Sequence, residues 1–186
     1  MRFAKKAALG NDGWTAKVAT RRGMKMIGII VARSKNNVIG KNGKIPWKIK
    51  GEQSQFKELT IGNVVVMGRK SYEEIGHPLA DRMNIVVSTT ASYSGENLLT
   101  VKTLKEAIEY GAGKDVFIAG GYRLFKEAIP FVDKMYITEI DINIEDGDVF
   151  FPDFIEDDFQ ITVGDSGGDT IKYTRTEYRR KNSVCI

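Results

Sequence analysis

Short runs of apolar, mostly β-branched residues recur along this chain, and each is too short to be a buried helix. Three of them read MIGIIVA (26–32), VVVM (64–67) and DVFIA (115–119). An apolar run without polar alternation is typical of a strand covered on both faces, as in the parallel sheets of α/β proteins. The sequence therefore predicts a sheet with helices packed on both sides.

The remaining segments fit the same architecture. Helices are predicted at 51–60, 70–75, 104–110 and 122–128, and further strands at 84–88, 98–101 and 135–140. Residues 159–163 and 170–178 alternate like antiparallel partners. Together these segments predict a single-domain α/β fold with a central, mostly parallel, twisted sheet of about eight strands. An antiparallel C-terminal edge strand and flanking helices complete it.

The positive charge of the chain is concentrated at its N-terminus. Residues 1–25 hold seven Lys or Arg and one acid, Asp12, which gives +6. Since the whole chain carries +4, residues 26–186 carry −2. We interpret 1–25 as a basic, disordered extension without a role in the chemistry, and 26–186 as the domain that carries the function. A slightly acidic domain offers no basic groove for nucleic acid.

Two further features bear on location. No apolar run approaches the roughly 18 residues of a transmembrane helix, so we expect no membrane association. The single cysteine, Cys185, cannot form an intramolecular disulfide. This fits a reducing, cytoplasmic location.

One acid stands alone in a largely apolar stretch. In IPWKIKGEQSQF (45–56), Glu52 lies where a predicted helix begins. A carboxylate in an apolar cleft is costly unless a partner or ligand compensates it, so Glu52 is a candidate recognition or proton-handling group. The alternative is a solvated acid in the first turn of the helix, favoured there by the helix dipole. This segment alone leaves both interpretations open.

Three predicted strands end in residues suited to an anionic ligand. GRKS (68–71) places two cations and a hydroxyl at a helix start, STT (88–90) adds hydroxyls, and Gly120-Gly121 lets backbone approach closely. Ligands of α/β sheets bind at the carboxyl ends of strands. A surface basic pair or a double glycine is common, and the chain contains no G-x-G-x-x-G sequence. Taken together, the three loops predict a phosphorylated cofactor.

A series of short motifs occurs in one order from Met26 to about Tyr178. Its members are Ala32, Val38-Ile39-Gly40, Ile45-Pro46-Trp47, Phe56-Lys57, Val66-Met67-Gly68-Arg69, Ile75-Gly76, Pro78-Leu79, Arg82-Met83-Asn84, Ala119-Gly120-Gly121, Tyr136-Ile137-Thr138-Glu139-Ile140 and Phe151-Pro152. This series resembles the bacterial dihydrofolate reductases. The resemblance implies reduction of 7,8-dihydrofolate to 5,6,7,8-tetrahydrofolate with NADPH, a step that supplies one-carbon metabolism. It also implies antifolate inhibitors as ligands, and we expect a monomer.

The resemblance assigns the substrate side of the site. Glu52 would pair with N3 and the 2-amino group of the pterin, Thr138 would hydrogen-bond Glu52, and Trp47 would help to hold a water. These three are the catalytic candidates. Arg82 would bind the α-carboxylate of the substrate. The full substrate-binding set is Ile30, Glu52, Phe56, Lys57, Ile75, Leu79, Arg82 and Thr138.

The resemblance also assigns the cofactor side. Arg69 and Thr89 would bind the 2′-phosphate of NADPH, while Lys70, Ser71 and the amides of 121–123 would meet the pyrophosphate. The full cofactor-binding set is Ala32, Ile39, Gly40, Gly68, Arg69, Lys70, Ser71, Ser88, Thr89, Ala119, Gly120, Gly121, Tyr122, Arg123, Leu124 and Phe125.

Other features receive lesser roles. The resemblance makes the loop 38–47 a lid and Gly120-Gly121 a cis peptide. His77, the single histidine, is expected in a loop or at the rim of the cofactor site rather than in catalysis. The acids of segment 146–153 match no metal-loop spacing, so no metal site is predicted. The resemblance instead makes Asp148 a loop residue that controls closure.

One departure from the family pattern bears on inhibitors. Gln53 is polar where many members have Leu or another apolar residue, as in several trimethoprim-resistant members, so low trimethoprim affinity is a hypothesis. Two other functions are considered. One is a reductase of the same fold from a pyrimidine or riboflavin pathway, and the other is a non-catalytic RNA- or membrane-binding protein that uses the basic leader.

Overall fold

The apolar runs form the centre of one large sheet. A computed structural model describes residues 25–181, so the rest of the basic leader and Cys185 lie outside the described residues. Its strands are β1 Ile27–Ser34, β2 Val38–Gly40, β3 Val64–Gly68, β4 Met83–Val87, β5 Leu98–Val101, β6 Val116–Ile118, β7 Lys134–Ile140, β8 Val149–Phe150, β9 Phe159–Gly167 and β10 Tyr173–Arg180.

The large sheet has eight strands in the order β5-β4-β3-β6-β1-β7-β10-β9, and β2 pairs separately with β8. β10 runs antiparallel to both of its neighbours, β7 and β9. The other five pairings of the large sheet are parallel. The predicted α/β fold with a mostly parallel sheet and an antiparallel C-terminal edge is therefore confirmed.

Within residues 25–181 the helices are α1 Ser54–Thr60, α2 Arg69–Ile75, α3 Leu104–Tyr110 and α4 Tyr122–Ala128, with a 3-10 turn at Glu156–Asp158. Two elements begin three residues later than predicted. The helix predicted from residue 51 begins at Ser54, because Gly51 has a left-handed φ of 83° that an α-helix does not accommodate. The strand predicted at 170–178 lies at 173–180, since residues 168–172 connect β9 to β10.

The position of β3 between two hydrophobic cores explains why its sequence is apolar without alternation. Val64 and Val66 face the main core, which also contains side chains of α3 and α4. Val65 and Met67 face a second core on the opposite side, with side chains of α1 and α2 against it. All four are at most 2% exposed. Both faces of the strand are thus buried, as its composition predicts.

The strand order brings the functional loops to one edge of the sheet. β3 lies between β4 and β6, all three parallel. Their carboxyl ends therefore lie side by side, and α2 and α4 begin within four residues of the ends of β3 and β6. None of the helices among residues 25–181 has the length and apolarity to cross a bilayer.

Candidate active site

Glu52 lies in a tight turn just before α1. Its amide donates to the carbonyl of Ile49 at 3.3 Å, and Gly51 turns the chain. The side chain is half-buried beside a cavity of about 430 Å³ lined by residues 47–50, 52 and 53. Burial raises the pKa of Glu52 above the ordinary glutamate value, and the guanidinium of Arg175 partly offsets that effect. A ligand that donates hydrogen bonds to this carboxylate would relieve the cost of its burial.

A row of residues across three strands lies next to this turn. Ala32 on β1 pairs with Thr138 on β7, which pairs with Arg175 on β10. Paired residues on neighbouring strands point to the same face of a sheet, so these three side chains lie side by side. Thr138 is 5% exposed. Within the described residues no hydrogen bond joins it to Glu52, so that expected contact is not formed; the cation near Glu52 is Arg175, which the sequence analysis missed.

Trp47 packs at the end of this row. It is 7% exposed and forms a small cluster with Ile140 and Tyr173, which are partners on β7 and β10. Its indole Nε1 has no hydrogen-bond partner among the described residues. A buried donor without an acceptor costs about 1–3 kcal/mol. The indole therefore favours a polar ligand atom or a bound water at this place, which is the role that the family resemblance implies.

The apolar residues assigned to the substrate come together in part. Phe56 of α1, Ile75 of α2 and Leu79 all pack against the second core, on the face of the sheet that carries α1 and α2. Ile30 is 7% exposed on the central strand β1. Lys57 is exposed on α1. The arrangement supplies an apolar wall with cationic surface beside it.

Arg82 lies at the end of α1 opposite to Glu52. Its Nε donates to the carbonyl of Ala80 at 2.7 Å, and its Nη1 donates to Thr60 Oγ1 at 3.3 Å. Thr60 is the last residue of this seven-residue helix, which is about 10 Å long. A ligand that reached both charges would lie along α1. A separate cavity of about 420 Å³ borders Arg82 but is not lined by Glu52.

A glycine cradle, formed by Gly68, Gly120 and Gly121, lies where α2 and α4 begin. The amide of Gly68 donates to the carbonyl of Gly120 at 2.7 Å, and the Gly120–Gly121 peptide is cis. A Cβ on Gly120 would lie 3.0 Å from Ser71 Oγ, and one on Gly121 would lie 3.5 Å from it. Because the cradle carries no side chains, the backbone stays open to close approach by a ligand. An anionic group can then bind the adjacent amides and the Ser71 hydroxyl.

The arginine next to the cradle forms an ion pair with an acid one turn later in the same helix. Arg69 Nη1 lies 3.0 and 3.1 Å from the two carboxylate oxygens of Glu73. Tyr93 also donates its hydroxyl to Glu73, at 2.7 Å. The hydrogen bond from Tyr93 and then that from Arg69 lower the pKa of Glu73. Lys70 is exposed. A phosphate that binds Arg69 must therefore compete with Glu73.

The other cofactor candidates divide between surface and core. Tyr122 and Arg123 are exposed at the start of α4, and Thr89 is exposed after β4. Leu124 and Phe125 are 6% and 2% exposed and belong to the main core. Their side chains offer a ligand little surface.

Three further candidates flank these loops. Ser88 Oγ accepts the amides of residues 90 and 91 at 3.2 and 3.0 Å, so it shapes the loop after β4. Ile39 packs against the main core, and Ala119 packs against the second core. Gly40 pairs with Val149 in the small sheet.

Two backbone amides in the loop between β2 and α1 donate to acidic side chains elsewhere in the fold. The amide of Asn42 donates to Asp148 Oδ2 at 2.8 Å. The amide of Ile45 donates to Glu74 Oε1 at 2.6 Å, which ties the loop to α2. The sequence analysis gave Asp148 a role in loop closure, but it did not identify Glu74.

His77 and the acidic residues add no metal centre to this region. His77 is exposed, with Nδ1 3.0 Å from the carbonyl of Pro78. Among residues 25–181, no three His, Cys, Asp or Glu side chains are grouped so that they could hold a metal ion.

Comparisons with known proteins agree on one family. A family model described as dihydrofolate reductase matches residues 26–180. Dihydrofolate reductase type A13 of Escherichia coli is 38% identical over 156 residues, which cover 83% of this chain and 94% of that protein. Dihydrofolate reductase of Bacillus subtilis is 34% identical over 163 residues, which cover 85% and 96%.

A solved structure agrees with these sequences. Dihydrofolate reductase from Enterococcus faecalis, complexed with NADP(H) and RAB-propyl, is 32% identical and superposes with a TM-score of 0.75. The match covers 84% of this chain and 97% of that one. The shared fold, the length of the sequence matches and the family model together show that this chain belongs to the dihydrofolate reductase family.

Proposed function

We propose that this chain reduces 7,8-dihydrofolate to 5,6,7,8-tetrahydrofolate with NADPH and so supplies one-carbon metabolism. The observation that carries the proposal is the half-buried carboxylate of Glu52 in a chain of this family. It stands at one end of α1, and the guanidinium of Arg82 stands at the other. A substrate with a flat donor-bearing ring at one end and a carboxylate at the other suits both groups.

In this proposal Glu52 recognises the pterin ring. An ionised carboxylate accepts two parallel hydrogen bonds, from N3 and from the 2-amino group. Phe56, Ile75 and Leu79, which pack against the second core, give the rings an apolar wall. Ile30 would close the wall from β1, and Lys57 and Arg82 would meet the glutamyl end.

The glycine cradle supports NADPH as the cofactor. When bound, NADPH supplies the hydride that C6 of dihydrofolate receives. A Cβ at Gly120 would lie only 3.0 Å from Ser71 Oγ, so the cradle suits a ligand that needs close backbone approach. The residues that would hold the pyrophosphate are Gly68, Lys70, Ser71, Gly120, Gly121, Tyr122 and Arg123. Arg69 and Thr89 would take the 2′-phosphate, and Ser88 shapes the loop that carries Thr89. Ala32 and Ile39 would contact the nicotinamide, with Gly40 and Ala119 beside them. Leu124 and Phe125 would form the wall behind it, with little side-chain surface facing the ligand.

Protonation at N5 would depend on the residues around the pterin. Glu52 keeps negative charge on the N3 side, which raises the proton affinity of the ring. Trp47 offers a buried N–H beside the same pocket, without a partner in the described part of the chain and suited to hold a water near the pterin. The loop 38–47, tied to Glu74 and Asp148, would exclude bulk solvent.

The test is the loss of NADPH absorbance with dihydrofolate as the acceptor, measured for the full chain. We expect turnover with NADPH, a weaker rate with NADH, and nearly no turnover for Glu52→Gln near neutral pH. Glu52→Gln removes the negative charge and keeps the size of the side chain, so the variant tests recognition of the substrate rather than folding. Turnover of a pyrimidine or riboflavin precursor in place of dihydrofolate would contradict the proposal.

We also propose that the chain acts as a cytoplasmic monomer without nucleic-acid or membrane partners. The charge of −2 over residues 26–186 supports the absence of nucleic-acid and membrane partners, because it leaves no cationic surplus on the domain. Removal of residues 1–25 should leave turnover unchanged. Loss of turnover on that deletion would contradict the expectation that the leader has no role in the chemistry.

A further inference from the structure

Arg175 is a buried arginine on β10 that reaches the turn around Glu52. The residue is 9% exposed. Its Nη2 donates to the carbonyl of Gly51 at 2.9 Å and to Ser54 Oγ at 2.7 Å. Its Nη1 donates to Asp165 Oδ2 at 2.7 Å. The guanidinium therefore joins the far end of the chain to both flanks of Glu52.

These contacts fix the conformation of the turn. Gly51 has a left-handed φ of 83°, and Ser54 also donates its hydroxyl to the carbonyl of Gly51 at 2.8 Å. A single guanidinium nitrogen thus holds the residue before Glu52 and the second residue after it. Hydrogen bonds from a charged donor are stronger than neutral ones. Without them the turn would keep only the hydrogen bonds among its own residues.

Arg175 also supplies charge. A guanidinium stays protonated, and this one is taken out of water, stacked 5.2 Å from the centre of the Tyr173 ring. Asp165 binds one side of it but is mostly solvent-exposed, so it offsets only part of the guanidinium charge. Arg175 Nε is buried and has no partner among the described residues. The guanidinium therefore keeps positive charge that Asp165 does not fully offset.

Several other titratable groups lie near Glu52, but most of them are exposed to solvent. Lys48 and Lys50 flank it on its own turn, and Lys57 lies on α1, all three exposed to solvent. On the sheet, Arg175 and Tyr173 of β10 are the titratable neighbours, and Thr138 of β7 carries no charge. Exposed lysines act weakly through water. The buried guanidinium is the cation whose field reaches Glu52, where it favours the ionised carboxylate.

We propose that Arg175 is a positioning residue of the pterin site, which holds the 51–54 turn through Gly51 and Ser54 and places a cationic guanidinium beside Glu52. The inference rests on the proposed function, because it takes Glu52 as the pterin ligand. Arg175 itself would act through Glu52 rather than on the substrate.

The experiment follows the Glu52 carboxyl by ¹³C NMR titration of the full chain, without substrate, in wild type and in variants of Arg175. Arg175→Met removes the charge and the hydrogen bonds, whereas Arg175→Lys keeps the charge and loses the fork. We expect the titration of Glu52 to move to higher pH in Arg175→Met and to a smaller extent in Arg175→Lys. The dihydrofolate KM of Arg175→Met should rise roughly threefold to tenfold at about pH 5 and less at about pH 8, as for a carboxylate that loses an opposite charge.

Two further variants keep the test open if Arg175→Met folds poorly. Asp165→Asn removes the exposed anion that neutralises Arg175, so the Glu52 titration should move to lower pH. Arg180→Met is the matched control, since Arg180 also lies on β10 and donates to backbone carbonyls, those of Val132 and Ile129, at 2.9 and 2.5 Å. It should lower stability without moving the titration of Glu52.

The proposal is overturned if Arg175→Met and Asp165→Asn both leave the Glu52 titration unchanged, or if Arg180→Met moves it as far as Arg175→Met does. The titration needs no turnover. A chain that does not reduce dihydrofolate but shows the displaced titration refutes the proposed function and retains the pairing. If instead the chain reduces dihydrofolate but the Arg175 variants leave the Glu52 titration unchanged, the proposed function stands and the pairing is refuted.

Discussion

The glycine cradle makes a prediction that can be worked out from its geometry. Gly120 has φ of +134°, a backbone conformation that residues with side chains rarely adopt. Strain of this kind costs about 1–3 kcal/mol. The added Cβ of Gly120→Ala would lie 3.0 Å from Ser71 Oγ, so Ser71 must also shift. We expect a loss of roughly 2–3 kcal/mol in the free energy of unfolding, or about 4–12 °C in Tm for a chain of this size.

Gly120→Ala should weaken the binding of the cofactor more than that of the substrate, because the methyl group enters the cradle proposed for the pyrophosphate. We expect the NADPH KM to rise about tenfold, which corresponds to ~1.4 kcal/mol, with a small change in the dihydrofolate KM. Both constants come from steady-state turnover, and stability comes from urea and thermal unfolding.

Two variants separate strain from contact. Gly113→Ala has a similar φ of +90° but no atom within 4 Å of the added Cβ, so it should lose stability and keep its NADPH KM. Adding Ser71→Ala to Gly120→Ala removes the crowding oxygen and should recover part of the stability. An NADPH KM that stays at the wild-type value in Gly120→Ala, or rises equally in Gly113→Ala, would refute this account of the cradle.

Three other predictions concern charged and polar residues assigned to the substrate side of the site. Folding raises the pKa of Glu52, so the native state binds this proton more tightly than the unfolded chain and is penalised once pH exceeds the ordinary glutamate value. Glu52→Gln should therefore gain on the order of 1 kcal/mol in unfolding free energy at neutral pH and nothing below about pH 4, while its activity recovers partly in acid. Equal stability changes in urea at both pH values would contradict this. Arg82→Ala should raise the dihydrofolate KM more than it lowers kcat; a pure kcat effect would remove Arg82 from recognition. Gln53→Leu should bind trimethoprim more tightly if the polar residue lowers its affinity, and a wild-type inhibition constant already in the drug-sensitive range would reject that hypothesis.

Most of the architecture could be predicted because it depends on local pattern. Continuous apolar runs such as 64–67 can only be buried on both faces, and this required helices on each side of the sheet. The small sheet was not predicted, because β2 and β8 have three and two residues and carry no period of their own. Their pairing depends on the loops around them.

The site could be predicted only where a motif carried it. Glu52 was found because an acid in an apolar stretch is costly, and the glycine cradle because its residues lack side chains. Arg175 was missed, since its partner Gly51 lies 124 residues away in sequence. The sequence feature that could have identified it is a charged residue within a C-terminal strand whose neighbouring positions are buried. Glu74 was missed for a similar reason, because it acts through its contact with a loop amide 29 residues away.

The most direct test of the central claim follows the Glu52 carboxyl by ¹³C NMR, with and without bound folate in the presence of NADP⁺. If the carboxylate accepts two hydrogen bonds from the pterin, the bound complex should titrate at lower pH than the free enzyme, because those bonds favour the ionised form. The folate Kd should then rise as the pH falls through the range in which Glu52 of the free enzyme is protonated. A Glu52 signal that titrates identically in both states, with a Kd independent of pH, would contradict the account.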